Sequence, residues 1–315
     1  MATTETHTVM PSGGDFTSLD AAIDHVVDSH HDLIGDDKIQ AIKIDGTWSS
    51  ADTTPCTIVT AHTDATRYLW IYTTASARHK GIWSTSYYML NTSNVSPILL
   101  TSVSNVWFDG LQMGKSSEDA HYQDVCYLSG SLTATTNQIL FSNCLTRGAA
   151  NNSYRCSFLG AEAENQRIFV YNHIDYGHGT TNNLYNSGIW IGNGEVTVYC
   201  STLIGGFSGI NRAGGTAVTK GVYAAEFTAG GEAYGGVGAS FTMTNCASSD
   251  TTAEDTNPYD SVACDTDTFV NVTYATADYH QAADGLSPLK EAGVDTSGDA
   301  APMNFTTDID GQTRT

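Results

Sequence analysis

The sequence predicts an all-β solenoid, and three observations predict it. Between Asn137 and Gly206 an apolar phrase recurs and ends each time in a small or amide residue: Ile139-Leu-Phe141 before Asn143, Ile168-Phe-Val170 before Asn172, Val196 and Val198 before Cys200. Alternation of this kind is the strand period, because successive side chains leave opposite faces of the backbone. Aligning Phe108, Phe141, Val170 and Val198 gives steps of roughly 30 residues, and the next step, to Met243, is about one and a half times as long, as in an imperfect stack of rungs. Finally, Gly 30 and Tyr 16 among 315 residues, with abundant Thr, Ser and Asn, fit short strands joined by frequent turns.

Residues 1–36 read as an N-terminal cap. Val9 to Phe16 is a short extended piece closed by a glycine turn, and Thr17-Ser-Leu-Asp20 reads as a helix start with Thr17 as N-cap and Asp20 reaching back. Leu19, Ala22, Ile23, Val26 and Val27 then share one helical face, opposite Asp20, Asp24 and Asp28. Such a helix covers the open end of a stack of strands. His25, His30 and His31 lie near it; they read as polar helix-end residues, with a metal cluster as the alternative.

Residues 37–268 read as rungs with loop insertions. Strand-like segments are Ile39–Ile44, Cys56–Thr60, Tyr68–Thr73, Gly81–Trp83 and Ile98–Thr101, followed by the central repeat to about Ser249. Loops are expected at Lys115–His121, at Gly148–Asn152 and over the glycine-rich Gly205–Gly238, with one irregular rung at Gly221–Phe227. A surface excursion is expected from Asp250 to Asp260. Residues 269–315 read as an irregular tail with one short strand, Phe269–Tyr274.

Charge bounds the partners. Lys and Arg number 13 against 34 Asp and Glu, a formal net charge of −21. A phosphate-binding surface needs a cationic footprint, so nucleic acid is not an expected partner. No apolar run is long enough to cross a membrane. The opening Met-Ala-Thr-Thr-Glu-Thr-His lacks the regions of a secretory signal, so synthesis in a cytoplasm without a signal peptide is expected. Cysteines at 56, 126, 144, 156, 200, 246 and 264 have no metal-ligand spacing and read as free buried thiols, with one or two disulfides as the alternative.

Two pieces carry a resemblance. The opening VMPSGGDFTSLDAA, Val9 to Ala22, resembles the N-terminal cap of pectate-lyase-like right-handed parallel β-helices, frequent in bacteriophage virion proteins and in surface proteins of environmental bacteria. The tail, with Asp278-Tyr-His280, Leu286–Gly293 and Asp308–Arg314, resembles the C-terminal segment of the same class. Glu291 stands where Asp is usual, and the chain stops at Thr315 before the strand that commonly follows. The resemblance implies a single-stranded right-handed parallel β-helix with a short N-terminal capping helix, whose far end another subunit or surface covers. It also implies a structural protein of a tailed-virus particle: a homotrimeric capsid decoration or accessory protein on the virion surface, made in the host cytoplasm and contacting a shell or other virion protein. The alternatives are a tail spike or fibre that binds or cleaves host-surface polysaccharide, and a secreted bacterial polysaccharide lyase or adhesin.

Chemistry is sparse. Pectate-lyase-like enzymes hold calcium with Asp and Glu beside a basic residue, and no such group recurs here at a rung interval, so no cofactor is expected, with calcium as the alternative that the resemblance alone leaves open. The local catalytic candidate is His173-Ile-Asp-Tyr-Gly-His178, where His173 and Asp175 share a strand face and Glu195 lies about one rung on. The competing reading is a structural turn ladder, with Asn143, Asn172 and Asn245 at matching places in three rungs. Trp48, Trp70, Trp83, Tyr87 and Tyr88 are candidates for glycan or subunit contact.

Overall fold

Strands that each bury one face, and recur at nearly constant spacing, pair most readily with their equivalents one turn away. In the computed structural model this yields three parallel ladders. The structure describes residues 2–59, 61–93, 96–101, 103–116, 124–128, 138–149, 158–161, 167–179, 185–226, 230–236, 241–253, 259–282, 287–289, 294–309 and 313.

Among these residues, sheet I has nine strands: Thr3–Val9, Lys38–Ile44, Leu69–Thr73, Val106–Asp109, Gln138–Ser142, Arg167–Tyr171, Glu195–Tyr199, Thr216–Lys220 and Phe241–Thr244. Sheet II has seven, from Leu90–Thr92 through Gln112–Lys115, Leu145–Arg147, Ile174–Tyr176, Thr202–Gly205 and Tyr223–Glu226 to Ala247–Ser248. Sheet III also has seven, running from Cys56–Val59 to Tyr234–Gly236. The chain visits I, II and III in turn and then returns to I one rung higher, which is a parallel β-helix. The aligned residues are register partners: Phe108 pairs with Phe141, Phe141 with Val170, and Val170 with Val198.

Inward-facing side chains stack along the axis. Phe108 and Phe141 lie ring on ring at 4.9 Å, and Ile139, Ile168, Val196 and Val198 are buried with them in one continuous core. Each such side chain contributes about 1.5–3 kcal/mol by leaving water. The helix Leu19–Ser29 closes the first rung with Leu19, Ala22, Ile23 and Val26 buried. Its N-cap is Ser18, whose hydroxyl accepts from Ala21 N at 3.3 Å, one residue later than the expected Thr17.

Two expectations need correction. The glycine-rich stretch 205–238 is largely strand, with Ser208–Arg212, Thr216–Lys220, Tyr223–Glu226 and Tyr234–Gly236 inside it. Its glycines answer crowding rather than looseness: a Cβ on Gly205 would stand 1.7 Å from the Ser208 carbonyl oxygen. Gly81–Trp83 is not a strand; Ile82 makes only an isolated bridge to Asp278.

The tail is docked. Phe269–Asn271 and Asp278–Gln281 form an antiparallel pair, and Phe269, Ala277, Tyr279 and Leu289 pack on the outer side chains of sheet II. Tyr274 donates its hydroxyl to the Gly148 carbonyl at 2.7 Å, and Phe305 stacks on Tyr171 at 4.4 Å. Cys56, Cys126, Cys144 and Cys246 are buried thiols outside any disulfide, and Cys200 and Cys264 are half-buried ones. Cys156, the expected loops at 117–121 and 150–152, and residues 254–258, 290–293 and 314 lie outside the described residues.

Candidate functional site

His173 directly follows a corner of the coil and points inward, where its ring stacks on Phe158 at 4.0 Å. Asp175, two residues on, shares that inner face. Thr146, its register partner one rung below, links the two: the Thr146 hydroxyl lies 3.0 Å from His173 Nε2 and donates to Asp175 Oδ1 at 2.5 Å. His178 Nε2 sits 2.7 Å from both Asp175 oxygens. Burial pushes the Asp175 carboxyl up, with His178 opposing, and pushes the His173 imidazole well below its usual range. A neutral His173 fits a hydrogen-bond chain of His173 Nε2–H to Thr146 and Thr146 O–H to Asp175.

General acid–base work needs a group within reach of substrate, and this network is enclosed: the Asp175 and His178 side chains have no exposure. Glu195 is not part of it. It begins a strand of sheet I, in register with Arg167, with its carboxylate 3.5 Å from that guanidinium, because residues one rung apart need not lie on the same sheet. The arrangement pairs the Asp175, Thr146 and His178 groups and His173 Nε2 and ties rungs together, while among the described residues His173 Nδ1 is buried without a hydrogen-bond partner.

The corner before sheet II forms a column. Register pairs bring Gly110, Asn143, Asn172, Cys200, Gly221 and Asn245 to the same turn, one rung apart. All have positive φ, including Asn143 at 52°, Asn172 at 49°, Cys200 at 47° and Asn245 at 49°. Asn tolerates this left-handed conformation better than other non-glycine residues. Asn172 Nδ2 donates to Asn143 Oδ1 at 3.1 Å, and Asn143 Nδ2 to Asp109 Oδ1 at 2.7 Å, while Asp109 also pairs with Arg78. Asn172 donates further to the Thr307 carbonyl of the tail. Asn245 instead lines a cavity of about 140 Å³ between this corner and the tail, with Ser201, Thr202, Tyr223 and Phe269.

The aromatic candidates separate by face. Trp48 and Tyr88 are core residues, 5% and 0% exposed, packed edge to face at 4.9 Å, so neither is a contact residue. Their polar atoms are satisfied inside by Asp45 O and Asp52. Trp83 lies beneath the Arg147 guanidinium, 4.3 Å from its ring centroid, and Tyr87 is half-buried. Trp70 stands on the outer face of sheet I, because Leu69 and Ile71 on either side take the core. It stacks on Tyr72 at 4.2 Å and is in register with Trp107, which stacks on Tyr68 at 3.8 Å. Further up the same face, Leu140 and Phe169 are covered by Met303 of the tail. The half-buried quartet Tyr68, Trp70, Tyr72 and Trp107 continues this stripe, with Trp107 packed against the Leu140, Phe169 and Met303 cluster and with Asp109 and Lys43 in register beside Tyr72. Trp107 belongs to the site although the sequence did not single it out as a contact residue; its signal was alternation with Val106 and Phe108.

No family model matches the sequence, and no curated protein matches it. Two solved structures of pectin methylesterase from Aspergillus niger are similar in overall architecture, each at 11% identity and a TM-score of 0.45. One alignment covers 84% of this chain and 95% of that one; the other covers 94% and 97%. The three parallel ladders, not that likeness, define the fold.

Proposed function

We propose that this chain is a non-catalytic structural protein on the surface of a virus particle, with the β-helix as a rigid scaffold and the outer aromatic stripe of sheet I as its contact face. The observation that carries the reading is the contrast between the two polar and aromatic sets. Of the acid–base candidates, His173 and Asp175 are sealed in the coil with His178 and Glu195 lies apart from them on sheet I beside Arg167, while Tyr68, Trp70, Tyr72 and Trp107 gather on an outer face. Stacked aromatics present large area at low entropic cost, which suits a docking surface. The phage-like opening at Val9–Ala22 supports a capsid decoration role on the virion surface, with a shell protein as partner. Trimerisation fits because a symmetric assembly buries such faces against neighbours. The test is to quantify this chain in purified particles and to measure its mass by light scattering. Fixed stoichiometry with a shell protein and a threefold mass are expected; absence from particles overturns the reading.

A second reading uses the same quartet. Aromatic faces bordered by a carboxylate, Asp109, and cations, Arg78 and Lys43, also suit sugar rings, as in a tail spike that binds host-surface glycan. Binding of capsular or O-antigen polysaccharide by the purified chain favours this reading, and shortening of that polymer overturns the non-catalytic assignment.

A further inference from the structure

We infer that His7, His25 and His30 form a binding site for a borderline-soft divalent transition metal such as Zn²⁺, which staples the N-terminal cap to the first rung. The three residues come from different elements: His7 from the first strand of sheet I, His25 from the cap helix and His30 from its C-cap. One ring nitrogen from each lies within 4.8 Å of the other two. Ring centroids are 5.0 Å apart for His7 and His25, 5.6 Å for His25 and His30, and 6.0 Å for His7 and His30. Five residues on a regular helix do not return to the same face. His30 comes back to His25 because its backbone leaves the helix at φ −138°.

The surroundings fix the tautomer of His7. Gln40 is fully buried, and its Nε2 donates to Glu5 Oε2 at 3.1 Å, an oxygen that also accepts from Lys38 Nζ at 2.5 Å. The carboxylate can only accept, so the Gln40 amide turns its nitrogen toward Glu5 and its oxygen toward His7. That oxygen lies 3.0 Å from His7 Nε2, which therefore carries the proton and leaves the Nδ1 lone pair free for a metal. A ligating histidine whose other nitrogen donates to a fixed acceptor is the usual support of a metal site.

Three imidazoles select the metal class. Zn²⁺, Cu²⁺, Ni²⁺ and Co²⁺ take imidazole nitrogen, whereas Ca²⁺ and Mg²⁺ require oxygen. Tetrahedral Zn–N bonds put ligand nitrogens about 3.3 Å apart, so closing from the present spread needs only small ring rotations. Water supplies the fourth position. Phe16, with ring centroids 6.2 Å from His7 and 5.3 Å from His25, shelters one side. His31 is not part of the group; its ring lies against His62 at 6.2 Å.

The test uses the full chain without a polyhistidine tag. Zn²⁺ is titrated by calorimetry, Co²⁺ binding is followed by visible absorption, and thermal melts are run with Zn²⁺ and with a chelator. One equivalent of Zn²⁺ should bind, raise the melting temperature reversibly, and compete with Co²⁺ that shows tetrahedral d–d bands. His25→Ala should weaken Zn²⁺ binding by more than the roughly 10- to 100-fold typical of losing a supporting partner, and His31→Ala should leave it unchanged. Alanine is the best helix former, so His25→Ala should fold; if it does not, His30→Asn, which retains a side chain suited to a helix end, takes the same measurement. Equal Zn²⁺ affinity in wild type and the folded ligand variant, or no tetrahedral Co²⁺ spectrum, overturns the site.

Discussion

Asp175 and His178 hold each other inside the coil, with His178 Nε2 2.7 Å from both carboxylate oxygens and no exposure of either side chain. Thr146 donates to the same carboxylate from the rung below. Removing Asp175 would leave a buried imidazole and hydroxyl without their acceptor, and breaking such a pair from one side costs about 3–5 kcal/mol. Asp175→Ala should therefore lose that much in urea unfolding, with Asp175→Asn losing less because an acceptor oxygen remains. A loss below about 1 kcal/mol for Asp175→Ala would mean that the network is open to water.

His79 makes acid stability measurable at one residue. It is fully buried, its Nε2 lies 2.9 Å from the Asn143 carbonyl oxygen, and its Nδ1 accepts from Gly81 N at 3.1 Å. Both nitrogens are thus satisfied in the neutral form. Burial first, then Arg78, pushes its pKa down to about 3. Below about 6.5 the unfolded chain takes up a proton that the folded chain refuses, so stability falls as pH falls, by about 1.4 kcal/mol per pH unit. His173, also depressed by burial, acts with the same sign, while the raised Asp175 opposes it at lower pH. Urea melts of wild type and His79→Gln from pH 7 to pH 5 isolate His79. The variant should show a shallower slope; parallel slopes would falsify a buried neutral His79.

Phe269 tests whether the tail is part of the folded unit. It is 1% exposed and meets Tyr223 and Tyr279 edge on at 5.2 and 5.4 Å. Truncating a buried Phe costs about 3–5 kcal/mol. That loss falls on docking of the tail rather than on the coil, so Phe269→Ala should make residues 259–309 protease-sensitive while the far-ultraviolet β signal persists. An unchanged digestion pattern would show that the tail is held by other contacts.

The repeat was legible because Phe108, Phe141, Val170 and Val198 are large inward residues with a constant register. The rung after Val198 was not, because its inward positions are Ala217 and Thr219, and Thr219 is satisfied by the Cys246 thiol instead of by apolar contact. A strand with small and hydroxylated inner residues leaves no alternation to read. Glycine misled for a similar reason: between closely stacked rungs it answers backbone crowding, which composition cannot distinguish from a loop. Asn143, Asn172, Cys200 and Asn245 could be aligned from sequence, but Gly221 in the same column could not, because the repeat in its rung was not visible. What unites them is positive φ rather than side-chain chemistry. Which of His25, His30 and His31 approach one another was illegible too, since the partner, His7, comes from a separate strand.

The corner column yields a paired prediction. Asn143 at φ 52° accepts from Asn172 and donates to Asp109. Asn143→Ala should lose about 1–2 kcal/mol from the left-handed backbone, in addition to the amide bonds. Asn143→Gly removes the bonds but relieves the backbone, so it should be the milder change. Equal losses on thermal or chemical unfolding would show that the amide ladder, not backbone conformation, selects asparagine there.

Two tryptophans should give opposite outcomes. Trp48 is buried against Tyr88, and its indole N–H donates to the Asp45 carbonyl at 3.0 Å, so Trp48→Ala should cost about 3–5 kcal/mol and reduce soluble yield. Trp107 is half-buried on the outer face of sheet I, already stacked on Tyr68 and aligned with Trp70. A contact residue held in this way gives up little freedom on binding, which is why aromatic anchors dominate interfaces. The double change Trp70→Ala, Trp107→Ala should therefore keep a cooperative melt while weakening particle attachment or glycan binding by roughly 30-fold or more, the loss expected for a hot spot. Both are read on the same preparation, the melt by circular dichroism and attachment by co-sedimentation with particles. If the double variant melts normally and still attaches, the contact face lies elsewhere on the coil.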